Sequence, residues 1–123
     1  MYAFQEADYE RLEELLKQER IIAVGEIGLD YHWDDVKPQD QKTGFIRQIR
    51  LAQKYNKPIL IHMREATKDT LDILKDMGPL KGIMHCYSGS KEVAMELIKI
   101  GFYISFGGPL TFKNSRGCLL YTS

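Results

Sequence analysis

A chain of 123 residues has room for one ordinary domain. Its 44% hydrophobic and 28% charged residues describe a folded protein and exclude a disordered or fibrous one. Lysine plus arginine number 17 and aspartate plus glutamate 17, so the net charge is zero. A broadly basic surface that grips nucleic acid by charge alone is therefore excluded, and any action on nucleic acid must rest on local site chemistry.

Residues 1–10 hold neither the basic leader nor the apolar stretch of a secretory signal. No apolar run along the chain approaches the ~18–20 residues that cross a bilayer. A cytoplasmic protein with no membrane partner is expected. Tyr9, Leu12, Leu15 and Leu16 fall on one face of a first helix, with Asp8 available as its cap. The run Ile21-Ile22-Ala23-Val24-Gly25 predicts a first strand ending at Glu26. A polar loop, Asp30-Tyr31-His32-Trp33-Asp34-Asp35, follows, and His32 reads as a loop residue. Pro38 suits the first turn of a second helix with a stripe of Phe45, Ile46, Ile49 and Ala52.

Pro58-Ile59-Leu60-Ile61 predicts a second strand ending at His62. Ala66, Thr70, Leu74 and Met77 line a third helix that Gly78-Pro79 stops. Gly82-Ile83-Met84 predicts a third strand ending at His85. Ser90 then caps a helix carrying Val93, Ala94, Leu97 and Ile98, closed by Gly101. A fourth strand, Phe102-Tyr103-Ile104-Ser105-Phe106, ends at Gly107-Gly108. Cys86 and Cys118 form no CxxC pair and are expected to be reduced thiols.

Strand–helix alternation predicts parallel strands joined by crossover helices, and continuously apolar strands predict burial on both faces. Two α/β architectures fit: a doubly wound open sheet and a TIM-like (β/α) barrel. Three successive strands each deliver a polar residue, Glu26, His62 or His85, at the carboxyl end. That favours the barrel, whose strand ends form one rim, over an open sheet, which binds only around a switch point. A complete barrel needs ~250 residues. About four βα units of an eight-unit barrel are present, and the outer two strands are expected to have unpaired edges.

A single histidine at the end of a buried strand is more often structural than a ligand. His62 and His85, however, occupy the same place in neighbouring units, and the unit before them supplies Glu26. One carboxylate and two imidazoles form a ligand set for zinc, manganese or iron, and a metal site is the stronger reading.

Four segments, in order, carry a family resemblance. Gly25-Glu26-Ile27-Gly28-Leu29-Asp30-Tyr31 resembles the GEIGLDY signature of TatD-type metal-dependent deoxyribonucleases. Ile61-His62-Met63-Arg64-Glu65-Ala66 resembles the IHxREA segment of that family, and Met84-His85-Cys86-Tyr87-Ser88-Gly89-Ser90 its HCFSGS segment. Tyr103-Ile104-Ser105-Phe106-Gly107-Gly108-Pro109, followed by Thr111-Phe112-Lys113, is similar to its YISxGGxxTFK segment.

The resemblance implies a (β/α) barrel with two divalent ions of magnesium, manganese or zinc. It implies DNA as substrate, cleaved at phosphodiester bonds by exonuclease action. Glu26 would be the catalytic carboxylate bridging the two metals, and His62 and His85 would complete one metal position. Bound ions would lower the pKa of a shared water and clamp the phosphate oxygens. Asp30 and Arg64 are secondary candidates for substrate contact: Arg64 would grip a phosphate or pair with a neighbouring acid. The Ser88-Gly89-Ser90 turn would bind an anion through free N–H groups or serve as a plain helix cap. A rival within the fold is hydrolysis of another ester, as by a D-aminoacyl-tRNA deacylase. A rival of another class is a non-catalytic, metal-binding fragment that needs a partner half.

Two family features are missing: the HxH pair of the first strand and the late ETDxP-like aspartate. Those residues would hold the other metal, so at most one ion is expected here, and an isolated chain without activity. Residues 1–116 are read as the central portion of the barrel, with Met1 as an internal start. Residues 117–123 resemble nothing in the family and are read as a non-native tail.

Overall fold

The computed structural model describes residues 4–19, 22–32, 35–85, 87 and 89–105. Cys86, Ser88 and residues 106–123 lie outside the described residues. So do the readings that rest on them: the Gly107-Gly108 strand end, Thr111-Phe112-Lys113, Cys118 and the tail.

Helices and strands alternate as α1 (Glu6–Leu16), β1 (Val24–Asp30), α2 (Pro38–Lys54), β2 (Ile59–Arg64), α3 (Thr67–Met77), β3 (Gly82–Met84), α4 (Lys91–Ile100) and β4 (Phe102–Ile104). All adjacent strands pair in parallel, in the order β1-β2-β3-β4. A doubly wound sheet reverses its order at a switch point, whereas barrel staves follow one another in chain order. The observed order is that of a barrel, and four strands make it a partial one.

Register divides the sheet into two faces. Ile59, Gly82 and Phe102 lie side by side, as do Ile61, Met84 and Ile104. Ile59, Ile61, Met84 and Phe102 are buried, in one core with Phe45, Ile49, Ala52, Leu74, Ala94 and Leu97 of the helices. The intervening row, Leu60, Ile83 and Tyr103, points to the opposite face because strand side chains alternate. Ile83 is 40% exposed there and Tyr103 77%. One face is thus covered by helices and the other is open.

The helices follow their predicted stripes, with three differences. Ala66, expected on the third helix, is the N-cap residue that precedes α3. Gln5, not Asp8, stands at the N-cap of α1, and Asp8 acts from inside the first turn, its Oδ2 accepting the Gln5 N–H at 2.8 Å. Leu15 is exposed, while Tyr9 and Leu16 take the buried positions. The α1 helix docks on α2, where Arg47 donates to both oxygens of Glu6 at 2.6 and 2.8 Å and lies 4.0 Å over the Tyr9 ring. Pro38 opens α2 as expected. The Ser90 Oγ caps α4 by accepting the Val93 N–H at 3.2 Å, and Gly101 closes the helix in the left-handed region. Among the described residues no helix is long and apolar enough to cross a membrane.

Candidate metal centre

The first strand differs most from its prediction, and the difference builds the site. Expected to end at Glu26, β1 instead starts at Val24 and runs to Asp30. Val24 pairs with Ile59 and Ile27 with Ile61, so three steps on β1 face two on β2. That extra residue is a β-bulge, which re-aims side chains and is common beside active sites. Val24 and Ile27 both point into the core, leaving Glu26 between them, exposed. Beyond the bulge, Gly28 pairs with His62 and Asp30 with Arg64, while Leu29 is fully buried.

Glycine is required at this crossing. Gly28 has φ +144°, and a Cβ there would stand 1.8 Å from the His62 carbonyl oxygen. A Cβ on Gly25 would stand 2.5 Å from that of Leu60. The two glycines let β1 lie against β2 closely enough to bring Glu26 and Asp30 beside the His62 stave.

His62 is the fourth of six residues in β2, not its end, because pairing with the lengthened β1 carries the strand on to Arg64. It lies two residues from Leu60 and therefore on the open face. His85 directly follows β3, as predicted, and its N–H donates to the Ile61 carbonyl at 2.9 Å. By the same alternation from Ile83, it too belongs to the open face. The structure therefore puts Glu26, Asp30, His62 and His85 on one side of the sheet, with Glu26 at the bulge, third of the seven residues of β1, and Asp30 at the strand's carboxyl end.

Two contacts organise the four. Glu26 Oε2 stands 3.8 Å from His85 Nε2, and Asp30 Oδ2 stands 3.0 Å from His62 Nε2. The first distance exceeds hydrogen-bond reach. Two atoms bonded to one tetrahedral ion at ~2.0–2.2 Å stand about 3.3–3.6 Å apart. The Glu26–His85 gap is close to that span, and an oxygen and an imidazole nitrogen suit zinc or manganese. In this respect the donors present fit a divalent ion. His62 faces Asp30 instead, and among the described residues no group of three His, Cys, Asp or Glu side chains is assembled around one point.

The Asp30 carboxyl is 13% exposed. Burial pushes its pKa up, but the His62 hydrogen bond, the His32 N–H at 3.0 Å and the charges of His62 and Arg64 outweigh burial and hold it below the usual aspartate value. Gln41 fixes the backbone of Asp30. Its Oε1 accepts the Asp30 N–H at 2.9 Å, and its Nε2 donates to the carbonyls of Asp30 at 3.0 Å and Val36 at 2.9 Å. Only 5% exposed, Gln41 escaped sequence reasoning. Its signal was a glutamine one turn into α2, on the helix face that carries Phe45.

Arg64 is exposed and among the described residues has no ion-pair partner, so the alternative of a salt bridge to a neighbouring acid is not realised there. Asp30, read as a substrate contact, is occupied by His62. Ser88 lies outside the described residues, and Ser90 serves as a helix cap. His32 is an exposed loop residue, its Nδ1 3.4 Å from Glu65 Oε1. A cavity of about 610 Å³ runs along the β1 edge between α1 and α2; its lining includes Tyr9, Gln41, Arg47, Glu26 and His62.

The sequence model of the family described as TatD related DNase matches residues 1–119. The chain therefore belongs to the TatD related DNase family. It is 51% identical, over 113 residues, to YabD of Bacillus subtilis, an uncharacterised metal-dependent hydrolase, covering 90% of this chain and 44% of the relative. It is 39% identical, over 111 residues, to the similarly described YcfH of Escherichia coli K12, covering 89% and 42%. The crystal structure of YJJV, a TatD homologue from E. coli K12, superposes with a TM-score of 0.81 at 30% identity, covering 89% of this chain and 43% of that one. The chain thus spans less than half the length of the relatives it matches.

Proposed function

We propose that this chain carries one ion-binding half of a hydrolase centre that acts on phosphodiester bonds of DNA. The observation that carries the reading is the Glu26 Oε2 to His85 Nε2 gap of 3.8 Å, on the sheet face that also bears His62. Glu26, His62 and His85 would hold a divalent ion, magnesium, manganese or zinc. A bound ion of this kind supplies an acidified water and a clamp for phosphate oxygens. The protein's own part is positional. The bulge turns Glu26 out of the core, the short β3 presents His85 beside it, and Arg64, exposed on the same face, is free to meet an anionic substrate. The family description supports DNA as that substrate.

A second reading rests on a separate observation. Among the described residues no three-ligand group is complete, and the chain spans under half of its relatives. On that reading the isolated chain binds at most one ion and turns nothing over.

A chimera tests the proposal. This chain's segment is placed in YabD in place of the 113 residues it matches. The chimera is expected to cleave DNA in the presence of Mn2+ and to stop when the metal is chelated. Glu26→Gln should cost more than the ~10–100-fold typical of an outer-shell partner. Hydrolysis of a D-aminoacyl-tRNA with no cleavage of DNA would shift the assignment to the other ester. Metal-independent turnover, or turnover indifferent to Glu26, would contradict the proposal.

A further inference from the structure

A partly buried carboxylate rarely stands beside a partly exposed imidazole without consequence, since each fixes what the other can do. Asp30 Oδ2 lies 3.0 Å from Nε2 of His62. Asp30 does not reach that place by chance of rotamer alone. Its backbone is gripped on both sides by the amide of Gln41, which also holds the Val36 carbonyl. Its other carboxylate oxygen accepts the His32 N–H. The backbone of Asp30 and both its oxygens are therefore positioned from a helix, a loop and a neighbouring strand. Nδ1 of His62, by contrast, has no hydrogen-bond partner among the described residues.

From this we infer that Asp30 and Gln41 are positioning residues for His62. Asp30 engages Nε2 as a hydrogen-bond acceptor, and Nδ1 is the nitrogen left bare on the open face. The chemistry follows from the two-nitrogen character of imidazole. In the neutral ring one nitrogen carries the proton and the other the lone pair, and the partner of the first decides which is which. An acceptor at Nε2 selects the Nε2–H form, and the lone pair then resides on Nδ1. The arrangement has the logic of a carboxylate–histidine–metal triad, in which an outer carboxylate orients the ring and raises its basicity. Gln41 extends it one step outward, because a neutral amide can hold both the N–H and the carbonyl of Asp30 without adding charge beside the carboxylate. The part that concerns a cation rests on the functional reading above; the choice of nitrogen does not.

The test separates the two. Imidazole 15N spectra of the whole chain, without metal and at about pH 8.5, above the ordinary histidine range, report the protonated nitrogen directly. His62 should show a protonated Nε2 and a lone pair at Nδ1. Asp30→Ala and Gln41→Met should both drift toward mixed forms, whereas Asp30→Asn, whose amide oxygen still accepts, should retain more of the Nε2–H form. Dispersed amide spectra confirm that each variant is folded. His85 serves as the internal control and should not change. A wild-type His62 protonated at Nδ1, or one indifferent to Asp30→Ala, overturns the inference whatever the chain binds.

Zinc titration of the same samples adds the second readout. Binding should perturb Nδ1 of His62, and Asp30→Ala should weaken affinity about 10–100-fold. Zinc entering through Nε2 with Asp30 displaced overturns the inference. Absence of zinc binding with the Nε2–H form intact overturns the metal reading and supports the positioning role.

Discussion

Gly28 sits where two strands touch, with the His62 carbonyl in the space a side chain would fill. Gly28→Ala must move that carbonyl or relax a positive φ, and should cost about 3 kcal/mol or more in urea unfolding. A loss under about 1 kcal/mol would show that β1 can retreat from β2. Thr70 is an opposite case: it is fully buried, and its Oγ1 has no hydrogen-bond partner among the described residues. Thr70→Val keeps the shape and removes the stranded hydroxyl, so it should stabilise by about 0.5–1 kcal/mol. Tyr31 donates to Asp69 Oδ2 at 2.7 Å, and Lys42 lies 3.3 Å from the same oxygen. The Tyr31 hydrogen bond, and then Lys42, hold the Asp69 carboxyl below its usual value against the upward push of burial. A lowered folded-state pKa stabilises above the unfolded value of ~3.9 and loses that contribution as pH falls through the folded value. Tyr31→Phe should therefore lower the urea midpoint at neutral pH, with the gap to wild type narrowing below about pH 4. A gap constant with pH would deny the Tyr31–Asp69 link.

The legibility of the elements in the sequence depended on how local their cause was. Helices α2, α3 and α4 were readable because their stripes and stops lie within the segment: Pro38 at the start, Gly78-Pro79 after α3, Ser90 and Gly101 around α4. Ser90→Ala should cost about 1 kcal/mol, seen as a lower denaturation midpoint with α4 amides exchanging faster. No effect would mean that the Tyr87 hydroxyl bond to the Ser90 carbonyl suffices to hold the turn. Strand β1 was misread because its cause is not local. The apolar run at residues 21–25 looks like a strand, yet Ile22 is 80% exposed and the pairing begins only at Val24. What places β1 is the approach of Gly25 and Gly28 to β2, and no periodicity announces a bulge. The same non-locality hid Gln41, whose role appears only once α2 is folded back over the Asp30 loop.

For the whole molecule, the parallel sheet in chain order bears out the parallel strands read from strand–helix alternation and the barrel favoured by Glu26, His62 and His85 on successive strands, and the open face explains the exposed apolar row. Ile83 and Tyr103 lie side by side on that face, both exposed. Apolar surface of this kind promotes association. The isolated chain should therefore self-associate in sedimentation experiments, and Ile83→Lys with Tyr103→Lys should return it toward monomer; a monomeric wild type would contradict this. The candidate site was readable as residue types and partly as geometry. Glu26, His62 and His85 share a face as expected, but His62 turned out to be held by Asp30, which the sequence suggested as a substrate contact. The three-way convergence on a cation is the claim on which the functional account stands. Zinc-edge X-ray absorption of the chain, loaded with one equivalent of zinc, tests it most directly. The account predicts one carboxylate oxygen and two imidazole nitrogens at about 2.0–2.2 Å, with one imidazole lost in His62→Ala and another in His85→Ala. A zinc environment unchanged by either substitution, or one without imidazole, would contradict it.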